Sequence, residues 1–436
     1  MPRLNFLLNT FGSLGDLHPY IAVGIGLRDR GHNVTIATSE AYRSRVEGEG
    51  LRFHCVRPDI VGLAGSPAAM KHAYHPRTGS EYVMRCVFLP PVAETYQDLL
   101  PAARDADILV AHPLAFAIPA VAETLSKPWV SVILQPAVIL SAYDPPSISG
   151  VPELELFRKC GPKFWRLFWL VARLFIKKWA RPLNALRRDL GLPEVPNSLD
   201  AMFSPWLNQA WFSPVLATPQ PDWPAGLTTT GFPLYDKHES DQALSPELEQ
   251  FLAAGDPPVV FTLGSSAVLA AGDFYKESAL AAKKLGVRAI LLAGSDARNQ
   301  PKHTDPHIFV GDYAPYSRLF PHAAAVVHQG GAGTTAQVLL AGVPSLFVPY
   351  SHDQPDNARR ITALGAARTV PRNKYRAARV AAELRELLAS PTVKQTCARL
   401  AAQLAQEDGV RVACEGLERL ALATSASTAA NQIPGT

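Results

Sequence analysis

Cysteine is scarce and unpatterned in this 436-residue chain. Its five cysteines, Cys55, Cys86, Cys160, Cys397 and Cys414, are widely spaced and form no CxxC pair. An odd, scattered set supports no disulfide framework and reads as free thiols in a reducing compartment. Charge is thin too: 18% of residues are charged, against a usual share of about a quarter. With 42 basic against 38 acidic side chains, the net +4 is too small to argue for nucleic acid. No stretch reaches the ~18 uninterrupted apolar residues of a membrane-spanning helix. The opening MPRLNFLLNTFGS carries an apolar run too short for a secretory signal. The expected location is therefore cytoplasmic.

What the chain does have is apolar material, 47% of residues, and 38 prolines. That suffices for two or three packed domains joined by proline-punctuated loops. Leu4–Leu8 predicts a strand, Thr10–Asp16 a glycine-bearing turn, Pro19–Arg30 a helix closed by Gly31, and Val34–Thr38 a second strand. This is a βαβ unit and so part of a parallel sheet. Ile108–Val110 and Trp129–Leu134 predict further strands around a helix at Ala115–Leu125. The Pro, Gly, Thr and Ser of 216–245 predict a linker between an N-terminal domain, 1–215, and a C-terminal domain, 246–420, with 421–436 as a flexible tail. Beyond the linker the pattern restarts with strand Pro258–Leu263, turn Gly264-Ser265-Ser266, helix Phe274–Leu285 and strand Val287–Ala293. The expected fold class is α/β, two doubly wound Rossmann-like domains facing a cleft. Ligands of such sheets bind at the carboxyl ends of the strands.

The most informative stretch is AAVVHQGGAGTTAQVLLAGVPSLFVPYSHDQPDN, 324–357. After a buried strand, His328-Gln329-Gly330-Gly331-Ala332-Gly333-Thr334-Thr335 forms a glycine-rich turn opening a helix. Its free N–H groups and glycines suit a phosphate or pyrophosphate, to which His328, Thr334 and Thr335 can add donors. No Lys follows the last glycine, so this is not a Walker A loop, and GGAG lacks the GxGxxG spacing. A plain βα turn is the alternative. A second strand, Ser345–Val348, leads to Asp353 and Gln354, whose carboxylate and amide suit sugar hydroxyls; a solvated polar loop is the alternative there.

The run HQGGAGTT with GVPSLFVPYSHDQPDNARRITALGAA resembles the nucleotide-sugar signature of family 1 glycosyltransferases, and FGSLGDLHPYIAVGIGLRDRGHNVTIATS resembles the opening of their bacterial macrolide, sterol, glycopeptide and rhamnolipid members. The resemblance implies the GT-B fold and an inverting, metal-independent hexosyl transfer. It implies that His328, Gly331, Gly333, Thr334 and Thr335 hold the diphosphate, with Ser265 or Ser266 beside them. Asp353 and Gln354 would hold the hexose, near Asn357. Tyr313 stands where relatives stack the nucleobase, Tyr316 where plant relatives have Gln, and Ala336 where they carry a ribose-binding Glu. Asp16, in GSLGD, would be the general base, with N-capping of its helix as the plainer role. His18 is the alternative base, and Ser13, Leu14 and His112 would line the acceptor side. No cofactor is implied beyond a UDP- or dTDP-sugar co-substrate. UDP-glucose onto a hydroxyl of a lipophilic small molecule or lipid is the leading expectation. A dTDP-rhamnose-dependent glycolipid enzyme, a nucleotide-sugar epimerase and a non-catalytic nucleotide-sugar-binding partner are the alternatives.

Two further segments carry expectations. Asp105-Ala106-Asp107 matches a DxD metal motif by spacing but precedes a strand and reads as solvated surface. Residues 158–188 hold ten Lys or Arg, no Asp or Glu, and three of the seven tryptophans. On a helix, Lys159, Lys163, Arg166, Arg173, Lys177 and Arg181 share one side, with Trp165, Phe168, Trp169, Leu170, Phe175, Ile176 and Trp179 over much of the rest. This is the pattern of an interfacial helix on anionic lipid at the inner face of the membrane. Packing against the N-terminal domain, walling the acceptor pocket, is the alternative.

Overall fold

Short runs of β-branched and aliphatic residues, buried on both faces in the central strands, build two all-parallel sheets. The computed structural model describes residues 2–60, 62, 66–235, 243–300 and 305–430. In the first sheet the strands are β1 (Asn5–Asn9), β2 (Asn33–Thr38), β3 (Arg52–Cys55), β4 (Ile108–Ala111), β5 (Trp129–Ile133), β6 (Leu207–Ala210) and β7 (Leu227–Thr229). Their spatial order is β3-β2-β1-β4-β5-β6-β7. The second sheet holds β8 (Val259–Thr262), β9 (Ala289–Leu292), β10 (Ile308–Gly311), β11 (Ala325–His328), β12 (Ser345–Phe347) and β13 (Ala367–Thr369), in the order β10-β9-β8-β11-β12-β13. Strand order reverses between β1 and β4 in one sheet and between β8 and β11 in the other. Those reversals open a crevice at the carboxyl ends, where such folds hold ligands. The expected doubly wound α/β architecture is the one observed.

The first helix runs Leu14–Asp29, five residues ahead of the expected start at Pro19. Pro19 suggested a first-turn position, which proline favours. Ser13 overrides it by capping the helix, with Asp16 completing a reciprocal capping box. In the second half the helix Phe274–Leu285 and the strands around it fall where the pattern put them.

The domain boundaries differ from the expected ones. β7 lies inside 216–245 and pairs in parallel with β6, so the first sheet extends into the segment read as a linker. Residues 231–235 then carry the chain across, and the rest of that segment to 242 lies outside the described residues. The tail also differs: a helix, Gly409–Ala430, begins well before 421 and returns to the first domain. Its Ala413, Cys414, Leu417 and Ala421 join the core around Leu17, Ile21 and Val34. Polarity pins the same contact. Glu418 accepts from Arg30 Nη1 at 2.8 Å and from His32 Nε2 at 3.0 Å, and His32 Nδ1 accepts the Leu4 N–H at 3.3 Å. Small polar residues near the end concealed an amphipathic helix whose apolar stripe is mostly alanine and leucine.

No helix among the described residues is long and apolar enough to cross a membrane. Removing Glu418 would leave Nε2 of the buried His32, and Arg30, without the carboxylate they share. Glu418→Ala should destabilise the fold by about 3 kcal/mol, read as a lowered denaturant midpoint; an unchanged midpoint would show that apolar packing alone docks this helix.

Candidate active site at the two switch points

The turn after β1 is shaped by Gly12, whose φ of +111° places it in the left-handed region, and a Cβ there would stand 2.3 Å from Asp16 Oδ2. Glycine is therefore required for the Asp16 carboxylate to fold back over the helix start. Oδ2 accepts from the Ser13 N–H at 2.8 Å and the Ser13 hydroxyl at 3.1 Å. Oδ1 faces His112 Nε2, at the end of neighbouring β4, at 3.4 Å. His112 is buried, and its Nδ1 accepts the Leu114 N–H at 3.1 Å. That bond leaves the ring proton on Nε2, pointing at Asp16. The switch point thus presents a partly exposed carboxylate with one oxygen bound to the helix cap and the other steered by a histidine. Tyr20 packs beneath His112, its ring centroid 6.2 Å away.

His18 does not join this pair. It lies two residues further round the helix, where Arg45 Nη1 stands 3.0 Å from Nε2 and the Tyr235 ring packs on it. Burial, with the Arg45 charge, lowers its pKa to about 3. Its basic nitrogen is taken up, so the structure corrects its standing as an alternative base. Ser13 serves as the N-cap, and Leu14 packs on the first-domain core. Of the acidic pair in the DxD-like run, Asp107 accepts the Asn5 N–H at 2.7 Å and is a strand-edge residue.

In the second domain the turn after β11 is held from within. Gly330 has a φ of +96°, and a Cβ there would stand 2.9 Å from Phe347. His328 is fully buried: Nδ1 accepts the Gly330 N–H at 3.2 Å, and Nε2 lies 3.3 Å from Ser345 Oγ. Burial lowers its pKa to about 3, so the ring is neutral. Both nitrogens are engaged inside the domain, so His328 braces the turn rather than offering the free donor expected of it. The donors lie one step on. The helix Ala332–Leu340 starts at Gly331 with no side-chain cap, leaving first-turn N–H groups free of intrahelical partners. Thr334 is buried close to Gly264, while Thr335 Oγ1 is buried without a hydrogen-bond partner. Gln329 Oε1, Ser351 Oγ and Asn357 Oδ1 are in the same condition. Buried polar groups left without a protein partner are costly and call for an explanation.

The loop after β12 places Asp353 at the mouth of the cleft. Asn357 Nδ2 donates to Asp353 Oδ2 at 2.7 Å and to Gly330 O at 2.9 Å, tying this loop to the glycine turn. Gln354 spends its carbonyl on the Tyr350 and Ser351 N–H groups, at 2.8 and 3.2 Å, leaving its amide donors. Ser265 and Ser266 occupy the helical turn Gly264–Ala267 after β8. Tyr313 is 55% exposed beyond β10, whereas Tyr316 stacks on Phe320 at 4.4 Å and its hydroxyl lies 2.8 Å from Thr262 Oγ1. Tyr316 is thus a packing residue.

The two halves meet across the crevice. A Cβ on Gly333 would come within 3.9 Å of Gly15 Cα, so the two helix starts touch. Gly15, Pro19, Leu134, Trp211, Gly333 and Ala336 are among the residues lining a narrow crevice there, with a cavity volume of about 30 Å³. The sequence reading missed a second bridge, made by the helices Pro67–Ala73 and Gly79–Tyr82. Ser80 Oγ lies 3.1 Å from His352 Nδ1, the Tyr74 ring packs on His352 at 5.7 Å, and Tyr74 joins the second-domain core with Ala267 and Ala271. The density of His, Tyr, Ser and Thr in 72–82 was the available signal. His352, at φ +59°, holds a strained backbone beside Asp353.

Comparison with known proteins accounts for this arrangement. The model described as "Glycosyltransferase family 28 N-terminal domain" matches residues 6–132, and "Erythromycin biosynthesis protein CIII-like, C-terminal domain" matches 282–415. The O-mycaminosyltylonolide 6-deoxyallosyltransferase of Streptomyces fradiae is 34% identical over 437 residues, covering 96% of this chain and 98% of its own. The chain belongs to the family 1 GT-B glycosyltransferases. The sterol 3-beta-glucosyltransferase of Candida albicans is 29% identical over 95% of this chain, which spans 27% of that longer enzyme. Among solved structures, the glycotransferase of kitacinnamycin superposes with a TM-score of 0.75 at 20% identity, over 96% of this chain and 100% of its own. A thymidine diphosphate complex of the Streptomyces sp. SF2575 glycosyltransferase SsfS6 superposes at 0.61 with 20% identity, over 96% and 100%.

In this glycosyltransferase, burial and then the Asp16 charge across the cleft push the Asp353 carboxyl up to about 7. A carboxyl raised from its ordinary value of about 4 contributes stability that is fully present below pH 4 and is lost progressively as pH rises from 4 to 7. Asp353→Asn removes the burden of a buried charge. The thermal midpoint of the ligand-free variant should match wild type below pH 4, exceed it increasingly from pH 4 to 7 and by a constant margin above that; a pH-independent difference would contradict the assignment.

Proposed function

We propose that this glycosyltransferase moves a hexose from a nucleoside-diphosphate sugar to a hydroxyl of a lipophilic acceptor, inverting the anomeric centre, with Asp16 as general base. The observation that carries the reading is the Asp16–His112 pair facing an uncapped helix start across one crevice. The acceptor hydroxyl gives its proton to Asp16 Oδ1, and His112 keeps that carboxylate aimed. The oxygen then attacks the sugar C1 from the face opposite the leaving diphosphate. The C1–O bond breaks with its electron pair going to the diphosphate, whose charge the free N–H groups at Ala332, Gly333 and Thr334 would stabilise. Asp353 and the Gln354 amide hold the hexose, and Tyr313 stacks on the base. As written, the step draws on no metal and no cofactor besides the nucleotide sugar.

UDP-glucose is the first donor of the reading. A dTDP-6-deoxyhexose is the second, supported by the full-length likeness to a 6-deoxyallosyltransferase and the fold-level likeness to a thymidine diphosphate complex. The macrolide and sterol acceptors named for the relatives fit a lipophilic acceptor here.

Asp16→Asn keeps an oxygen able to accept from Ser13, so the helix cap survives while the base is lost. Turnover should fall at least about a hundredfold, with UDP or dTDP affinity and thermal midpoint near wild type. Near wild-type turnover in this variant would remove Asp16 as the base.

A further inference from the structure

The aromatic, basic segment resolves into two faces that differ from the expected ones. The helix Gly161–Ile176 buries Trp165 and Trp169 against Ala142, Leu140 and Ile148 of the first domain, and Trp169 Nε1 donates to Ser141 O at 3.3 Å. Packing therefore claims the tryptophans. The opposite face is left to solvent, and it is not polar. Leu156, Leu167, Leu170, Leu174 and Phe175 are each between 57% and 82% exposed, on one side of the helix and the turn before it. A row of large apolar side chains standing clear of the protein needs a partner.

The charges around it select the partner. Lys159, Lys163, Lys177 and Lys178 stand exposed at the ends and flanks of the row and make no ion pair among the described residues. Arg166 donates to Tyr143 Oη at 2.8 Å, Arg158 pairs with Glu155, and Arg173 reaches Asp200 only at 3.7 Å. A second copy docked on this face about a twofold axis would bring two patches carrying the same four lysines together. A bilayer instead takes the leucines below its headgroups, while the lysine stems reach back to anionic phosphates.

We propose that this face seats the glycosyltransferase on an anionic membrane surface. The assignment stands apart from the choice of donor and base. It places the crevice near lipid: the helix rests on the loop 140–148, whose Asp144 pairs with Arg359 and Arg360 and whose Ser147 N–H donates to Asp356 Oδ1 at 2.9 Å. Those three residues sit on the helix Gln354–Ala363, next to Asp353.

The test is flotation of the purified full chain with vesicles of phosphatidylglycerol and phosphatidylcholine, against vesicles of phosphatidylcholine alone. Wild type should float with the anionic vesicles, and high salt should release it. Leu170→Glu with Leu174→Glu, and separately Lys177→Glu with Lys178→Glu, should each lower the bound fraction at least about tenfold at an unchanged thermal midpoint. Transfer to a water-dispersed acceptor should stay at the wild-type rate in both. Absence of wild-type flotation, equal binding to uncharged vesicles, or a dimer in solution that Leu174→Glu dissociates, would each overturn the proposal.

Discussion

The active centre depends on how the two oxygens of one carboxylate are divided. Asp16 Oδ2 is committed to the helix start through Ser13, while Oδ1 is left to His112 and the cleft. The capping box fixes the carboxylate's rotamer, and Gly12 makes room for it. With the helix cap on one oxygen and His112 on the other, the carboxylate is oriented toward the cleft from both sides. Bulk loss of Asp16 would therefore perturb structure and chemistry together, whereas the amide separates them.

That carboxylate also sets the electrostatics of the opposite domain. Its charge opposes ionisation of Asp353, already disfavoured by burial, and works against the burial that lowers His352 to about 4. Two acids face each other across the interdomain crevice, and the buried polar atoms of Gln329, Thr335, Ser351 and Asn357 have no hydrogen-bond partner within the protein. The proposed ligand, rich in hydroxyls beside a diphosphate, would offer donors to Asp353 and an anion to the helix start. The switch points of the two sheets bring these halves together, each contributing residues from loops far apart in sequence.

Much of this was legible because it is local. The glycine turn, the strands β8, β9, β11 and β12 and the GSLGD turn each announce themselves within a few residues, through runs of Val, Ile and Leu broken by glycine. What was not legible is long-range. The return of Gly409–Ala430 to the first domain rests on Glu418 meeting Arg30 and His32, almost the whole chain away. The engagement of His328 with Ser345 and of Tyr316 with Phe320 removes from the donor side two residues that a motif alone would place there. A helical wheel sorted the 158–188 segment into basic and aromatic sides but could not tell that the tryptophans would be claimed by Ala142 and the leucines left outside.

The most direct test of the central reading is the stereochemistry of the reaction. The full chain, given a panel of UDP- and dTDP-hexoses of known anomeric configuration with hydroxylated lipophilic acceptors, should yield a product heavier by one hexose residue. Nuclear magnetic resonance of its anomeric proton should show the configuration opposite to the donor's. A product that retains the donor's configuration, or one formed without consuming a nucleotide sugar, would contradict a single displacement driven by Asp16.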